Sequence, residues 1–456
     1  LIRKFALGSY KGEFLDKLSD NPAVFVLFSF FLVIFIGSLL LLLPSATVSG
    51  EDTSIIGALF TSTSATCVTG LIVYDTGTHF TIFGQLIILF LIQIGGLGIM
   101  TISSAFAIML GQKMTLRNES LIQNVIGESN KIDMISLAKN IVIVTLAFEF
   151  LGAVIIFLTF KNTFLFSDKA IYYSIFHSIS SFCNAGFSLF HNNFMDFRSN
   201  LNINFIITSL IIFGGIGFPV LVDIKKSFFK YFKISRLSLH SKIVLSSTII
   251  LLFLGTISFF IAEYNCEMKG FSMPDRIFAS YFQSVTTRTA GFNTINNANL
   301  SKASVLISCI LMYIGASPGS TGGGIKTTAL VVIFVSVLAM FRGNKDVNVF
   351  KRKVSEESIY KVMALIAASI TLISVMIFLL LLIEPFTFEQ TVFEAFSAFG
   401  TVGLSMGITP FLSNLGKVVI VLLMYFGRVG PLTLIFAISE SKKTKFTYIE
   451  EKISIG

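Results

Sequence analysis

Apolar residues run along this chain in long blocks, and a short polar-edged stretch ending in glycine separates the two blocks of every pair. The blocks lie at 23–43, 82–110, 141–160, 203–222, 243–262, 303–314 continuing after a break through 341, 362–383 and 418–438. A helix needs roughly 20 apolar residues to cross a bilayer, so the pattern predicts about eight spans. The stretches at 53–65, 170–182, 274–286 and 388–399 are too short for that and predict half-depth helices rich in Ser, Thr and Phe. Three of them carry related strings: Phe176-His-Ser-Ile-Ser, Phe282-Gln-Ser-Val-Thr and Phe393-Glu-Ala-Phe-Ser.

Each short stretch runs into a glycine followed by a bulky apolar residue. The four endings are Thr66-Cys-Val-Thr-Gly-Leu71, Cys183-Asn-Ala-Gly-Phe187, Arg288-Thr-Ala-Gly-Phe292 and Gly400-Thr-Val-Gly-Leu404. Non-helical backbone at membrane depth survives only where it is buried in protein or lines water. Glycine accepts positive φ and lets carbonyls turn toward a common axis, and rings of carbonyls replace the water around the ion in potassium pores. The C-terminal dipole ends of four converging helices would favour a cation at the centre. The chain therefore reads as an all-α polytopic membrane protein. Its four span–short helix–loop–span units, at 1–112, 113–234, 235–350 and 351–456, form four walls around one hole.

Composition narrows the class. A mean hydropathy of +0.83 with 13% charged residues excludes an ordinary soluble domain. Block 23–43 is too long for a signal peptide and lacks a small-residue cleavage site, so it is read as the first span. The net charge of +9 invites a nucleic-acid reading, but its distribution argues for no nucleic acid. Basic residues gather in alternate connections: Lys113, Arg117, Lys131 and Lys139; then Lys225, Lys226, Lys230, Lys233, Arg236 and Lys242; then Arg342, Lys345, Lys351, Arg352, Lys353 and Lys361. The positive-inside rule places these and both termini in the cytoplasm, with the Gly loops entering from outside. Topology accounts for the basic face; contact with anionic membrane lipids or an acidic partner stays open beside it.

Catalytic and metal chemistry find little purchase. There is no Gly-x-Ser-x-Gly, no His-Glu-x-x-His and no paired intramembrane Asp, so an enzyme is not expected. His79, His177, His191 and His240 are scattered, and Cys67, Cys183, Cys266 and Cys309 lack metal-ligand spacing. Glu149 and Glu394 lie near membrane depth as cation or proton handles, or, for Glu394, as a hydrogen-bonding prop for its short helix. The sixth block is interrupted by Gly315-Ala-Ser-Pro-Gly-Ser-Thr-Gly-Gly-Gly-Ile-Lys-Thr-Thr328. Gly costs a helix about 1 kcal/mol and Pro about 3, so this run breaks the helix. It comes near a phosphate cradle but lacks the strand–loop–helix context of one. The last block holds Arg428, a charge that needs water or a partner at that depth.

These motifs together resemble the Trk/Ktr/HKT superfamily of potassium transport proteins over nearly the whole chain, with the greatest likeness to the membrane subunits of bacterial Ktr systems. The resemblance implies four membrane–pore–membrane repeats in pseudo-fourfold symmetry around one pore, in a homodimer of the bacterial plasma membrane. Beneath it would sit a cytoplasmic, KtrA-like ring of nucleotide-binding regulatory subunits. It implies K+ as the transported ion, with Na+ as a candidate activator and no covalently bound cofactor. An obligatorily coupled sodium-dependent potassium symporter is the alternative. The family's filter falls on Val68, Thr69 and Gly70; Asn184, Ala185 and Gly186; Thr289, Ala290 and Gly291; and Thr401, Val402 and Gly403. A sodium-passing branch has Ser at the first of these glycines, so Gly70 favours potassium. The intramembrane gate loop falls on Gly315, Ser317, Pro318, Gly319, Gly322, Gly323, Gly324 and Lys326. Arg428 matches an arginine that acts with the loop as a barrier to cations, or it is a structural arginine bonded to backbone carbonyls. Arg288 is read as a brace behind the third loop.

Overall fold

The computed structural model describes residues 22–98, 134–161, 167–231, 237–344 and 346–430. The fold is predominantly helical. In chain order α1 (Pro22–Leu41), α2 (Ile55–Thr66) and α3 (Ile82–Leu97) come first. Next are α4 (Met134–Phe160), α5 (Ser167–Phe182), α6 (Leu201–Ile216) and α7 (Phe218–Tyr231). Then follow α8 (Leu239–Glu263), α9 (Met273–Thr286), α10 (Lys302–Tyr313) and α11 (Thr327–Phe341). The described residues close with α12 (Glu356–Ile383), α13 (Phe388–Gly400) and α14 (Asn414–Val429). A small antiparallel hairpin, β1 (Asn348–Val349) and β2 (Arg352–Lys353), joins α11 to α12. Its turn residues Phe350 and Lys351 both have positive φ, as a two-residue type I′ turn requires.

Polar side chains set the helix starts. Ser54, Thr81, Asn200, Ser238, Ser272, Ser301, Ser355, Thr387 and Ser413 each cap the helix that follows, accepting from a backbone N–H of its first turn. Such a cap contributes about 1 kcal/mol. Thr387 and Gln390 complete a reciprocal capping box.

The short helices α2, α5, α9 and α13 form the centre. Each packs on the long helix before it (α1, α4, α8, α12), three of them also pack on the helix that follows (α2 on α3, α5 on α6, α13 on α14), and the neighbouring units interlock in order. Helix α3 touches α5, α6 touches α9, α10 touches α13, and α14 returns to α2. The last unit thus closes on the first. The core of each short helix is a fully buried phenylalanine: Phe60, Phe176, Phe282 and Phe393. The long helices turn apolar side chains outward instead, among them Phe31, Phe150, Phe253 and Leu382, which suits a hydrocarbon solvent and no aqueous one.

The short helices lie within three residues of their predicted ends, but the spans need correction. Among the described residues three helices, Lys139–Phe160, Leu239–Glu263 and Glu356–Ile383, are long and apolar enough to cross a membrane, and the α6–α7 pair makes a fourth only if counted together. The continuous span expected over 203–222 is broken at Gly217 (φ 101°), where the chain bends by 96°. Helix α3 stops before Gly98 (φ 79°) and α14 before Gly430 (φ 91°). Residues 99–110 and 431–438 of the corresponding predicted spans lie outside the described residues. The physical reason is glycine: a positive φ cannot continue a right-handed helix.

Candidate functional site

The four loops that end α2, α5, α9 and α13 share one backbone conformation. Val68, Asn184, Thr289 and Thr401 have positive φ (57°, 59°, 71° and 49°), and so do Gly70, Gly186, Gly291 and Gly403 two residues on (94°, 71°, 79° and 90°). An alternating sign of φ brings successive carbonyls to the same side of an extended strand. For a β-branched residue such as Val68, Thr289 or Thr401 this region is a true outlier, at about 1–3 kcal/mol each. Strain of that size persists only where the surroundings impose it.

Those surroundings are hydrogen bonds from the short helices. The N–H of Thr69, Ala185 and Val402 donates to the carbonyl of Ser64, Ser180 and Ser397, at 2.8 Å in each case, and Ala290 N–H to the Thr286 carbonyl at 3.0 Å. The hydroxyls at the same four residues hold the far side of each loop. Ser64 and Ser397 accept from the N–H of Gly70 and Gly403. Ser180 and Thr286 donate to the carbonyls of Phe187 and Phe292. The third loop manages this with one residue fewer between hydroxyl and glycine. A second row of serines ties the short helices outward: Ser62 donates to the Ile34 carbonyl, Ser178 to Glu149 and Ser284 to Leu252.

The loops meet as a closed ring. A Cβ on Gly70 would stand 2.5 Å from the Ala185 carbonyl oxygen, one on Gly186 2.9 Å from that of Ala290, and one on Gly291 2.5 Å from that of Val402. A Cβ on Gly403 would collide with the Thr69 carbonyl, which completes the circuit. Val68, Thr69, Asn184, Ala185, Thr289, Ala290, Thr401 and Val402 are fully buried. The sequence-predicted residues of all four loops are thus brought together, and what they offer one another is backbone oxygen rather than carboxylate.

The Gly-rich run lies against this ring from one side. Gly323 N–H donates to Thr401 Oγ1 at 3.0 Å, Thr321 Oγ1 donates to the Phe182 carbonyl at 3.3 Å, and a Cβ on Gly322 would collide with Thr289 Oγ1. The run is fastened to the broken ends of α6 and α14. Ser317 N–H donates to Gly215, Phe218 N–H to Gly319, and Gly324 N–H to Gly427. Gly217 approaches the Pro318 carbonyl so closely that a Cβ there would sit 2.6 Å from its oxygen. Within the run, Ala316 N–H reaches Gly323, Lys326 Nζ donates to the Gly322 carbonyl at 2.8 Å, and Gly315 leaves no room for a Cβ beside Gly323. Arg428 donates to the Thr321 carbonyl with one guanidinium nitrogen and to the Gly95 carbonyl with the other. It therefore bridges the run to the end of α3, and it does so through backbone carbonyls.

One feature of the site went unread in the sequence. Gly95-Gly-Leu-Gly98, Gly214-Gly-Ile-Gly217 and Gly427-Arg-Val-Gly430 are three versions of one helix ending. Their first glycines press on the last carbonyls of the short helices: a Cβ on Gly95, Gly214 or Gly427 would run into the carbonyl of Thr66, Phe182 or Phe399. Arg428 occupies the place that Gly96 and Gly215 hold in the other two.

Buried polar residues one step along the short helices brace the returning chain. His177 contacts Ser188 Oγ at 3.1 Å and accepts from Leu189 N–H. Gln283 donates to Asn297 at 3.0 Å, and Glu394 accepts from Thr409 Oγ1. Glu394 is thus a hydrogen-bonding prop. Glu149 accepts from Gln93 Nε2 at 3.3 Å and lies 3.7 Å from the Cys183 sulfur. The brace expected of Arg288 is not made: its side chain has no hydrogen-bond acceptor among the described residues, and its Nε is fully buried and unpartnered.

A helical chain of broken apolar spans, with four backbone loops meeting at one point, is the architecture of a membrane transport protein. The chain belongs to the TrkH family of cation transport proteins, whose family model matches residues 19–446. It is 40% identical to the Ktr system potassium uptake protein B of Bacillus subtilis, over 98% of this chain and 99% of that one. Identity to the protein of the same name from Vibrio alginolyticus is 38%, over 97% and 96%. The potassium/sodium uptake protein NtpJ of Enterococcus hirae is also 38% identical, over 96% and 97%. Among solved structures the potassium transporter TrkH from Vibrio parahaemolyticus shares the fold, with a TM-score of 0.71 at 19% identity over 92% of this chain and 85% of that one.

Proposed function

We propose that this chain is the potassium-conducting membrane subunit of a Ktr-type uptake system in a bacterial plasma membrane. The observation that carries the reading is the closed circuit of Gly70, Gly186, Gly291 and Gly403, each set against the carbonyl of the next loop. Four membrane–pore–membrane repeats in pseudo-fourfold symmetry surround one pore, and the three residues ending at each glycine form its filter. Uncharged carbonyl oxygens substitute for the hydration shell of a monovalent cation, and their number and field favour K+. The filter is short, because each loop has one glycine where a long potassium filter has two.

The Gly-rich run at 315–326 is the gate. Its support is position: it lies against Thr289 and Thr401 of the ring and hangs from two backbone hydrogen bonds to α6 and one to α14. Arg428 latches it. The dense basic connections face the cytoplasm, where a nucleotide-binding regulatory ring moves the gate, and two copies of the chain pair as a homodimer. The name of the Enterococcus hirae relative, a potassium/sodium uptake protein, favours a second reading in which sodium is a coupled or activating ion.

Reconstitution in liposomes tests both. Rubidium and potassium influx well above sodium and lithium influx, without a fixed sodium stoichiometry, is the expected outcome. Influx that stops without sodium and keeps a constant sodium-to-potassium ratio establishes the coupled reading. Equal entry of all four ions overturns the filter assignment.

A further inference from the structure

A largely buried cation with no hydrogen-bond acceptor among the described residues stands beside the third loop. Arg288 is 8% exposed, and its Nε has no partner. The guanidinium stays charged at any pH that a folded protein tolerates. None of the ion pairs among the described residues includes it. Burying an ion without a counter-charge costs several kcal/mol, and the carbonyl end of α9 beside it offsets only part of that.

Arg288 lines a small cavity bounded by Ile211 and Gly215 of α6, Thr248 and Leu252 of α8, and Ala316 of the Gly-rich run. Thr248 supplies a second unsatisfied group. Its hydroxyl is fully buried without a partner, whereas Thr256 on the same helix donates to the carbonyl four residues back. The two residues with unpartnered donors thus line one space, and its other walls are apolar or glycine. The room left suits a single particle of about water size. A water would satisfy the hydrogen bonds and leave the charge. A monatomic anion satisfies both, and a phosphate or carboxylate is too large.

We propose that Arg288 and Thr248 form a halide site, occupied by chloride, that neutralises the guanidinium beside the third loop. The bound anion keeps a fixed positive charge from acting on Thr289 and its neighbours. The site is independent of the assignment of the transported ion.

The test uses the full-length purified protein in detergent at constant ionic strength, with chloride exchanged for gluconate, and crystals grown in bromide. The expected results are a chloride-dependent rise in Tm and an anomalous bromide peak between the Arg288 side chain and Thr248 Oγ1. Thr248→Val, close in shape and lacking the donor, weakens the half-effective chloride concentration about tenfold, the equivalent of one hydrogen bond to a charge. Arg288→Gln abolishes the dependence. Equal melting curves in chloride and gluconate overturn the site. So does a chloride effect untouched by Thr248→Val, or a water alone in the cavity. Should Arg288→Gln not fold, Thr248→Val and the bromide map decide the matter by themselves.

Discussion

Arg428 donates to the carbonyl of Thr321, and so ties the last described helix to the Gly-rich run that lies under the loops. The bond is made by a permanent cation, and the same side chain reaches the Gly95 carbonyl at the end of α3. Under the proposed function, a charge so placed latches the run and also opposes a passing cation. A unit charge about 7 Å from an ion path raises the barrier by ~2 kcal/mol at an effective dielectric of about 20.

Arg428→Gln removes the charge and keeps a donor for one carbonyl. Potassium influx into liposomes should rise by about thirtyfold with the potassium-to-sodium ratio unchanged, because the loop carbonyls are untouched. Lower stability with unaltered influx per folded molecule would mean that Arg428 holds structure only.

Gly70→Ser places a Cβ 2.5 Å from the Ala185 carbonyl oxygen at a φ of 94°. The first loop must shift, and one wall of the ring shifts with it. Sodium influx relative to potassium should increase several-fold in competition measurements. A folded Gly70→Ser protein of unchanged ion preference would refute the role given to the ring.

Deleting residues 317–323 removes the contacts of the Gly-rich run with Thr401, Phe182 and Gly215. Potassium influx should rise, and its dependence on nucleotide and regulatory subunit should weaken. Loss of influx from a protein that still elutes as the undeleted protein does would show that the run conducts.

Gly95→Ala and Gly214→Ala force a methyl group into the terminal carbonyl of a short helix. Overpacking of this kind costs about 1–3 kcal/mol or more, so each variant should lose several degrees of Tm in detergent. Gly50→Ala is the comparison: nothing lies within 4 Å of the new Cβ, although its φ of 91° adds a strain that the helical Gly95 and Gly214 do not carry. Its loss should be the smaller by a clear margin. Equal losses would show that close packing does not govern Gly95 and Gly214.

The four loop glycines were legible because glycine is the residue that marks a positive φ in a sequence. Their partners at Val68, Thr289 and Thr401 were not. Valine and threonine in a row read as extended chain, and only the hydrogen bonds from Ser64, Thr286 and Ser397 force them into the left-handed region. The fourfold recurrence was fuller than its reading. Phe60-Thr-Ser-Thr-Ser64 matches the other three strings, with Ser62 and Ser64 in the places of Ser178 and Ser180, and could have been matched from the residues alone. The helix endings at Gly98 and Gly217 were passed over because membrane helices tolerate glycine. What betrays them is the spacing Gly-Gly-x-Gly, and the meaning of that spacing lies in the close approach of its first glycine to the last carbonyl of the unit's own short helix, which hydropathy does not register. The unsatisfied guanidinium of Arg288 was beyond any pattern, since an arginine beside a loop is ordinarily assumed to find a carbonyl.

Gly96, Gly215 and Arg428 stand at the same point of three helix endings, and only one of the three carries a charge. A ring assembled from separate identical peptides could not do this. It would place a guanidinium at every corner, and neighbouring cations a few ångströms apart would repel one another by several kcal/mol at intermediate dielectric. The corners would have to be all charged or all bare. Covalent continuity releases the chain from that choice. Concatenated walls can diverge one residue at a time, so a lone electrostatic latch becomes available, and a single substitution can set its strength without disturbing the other three sides.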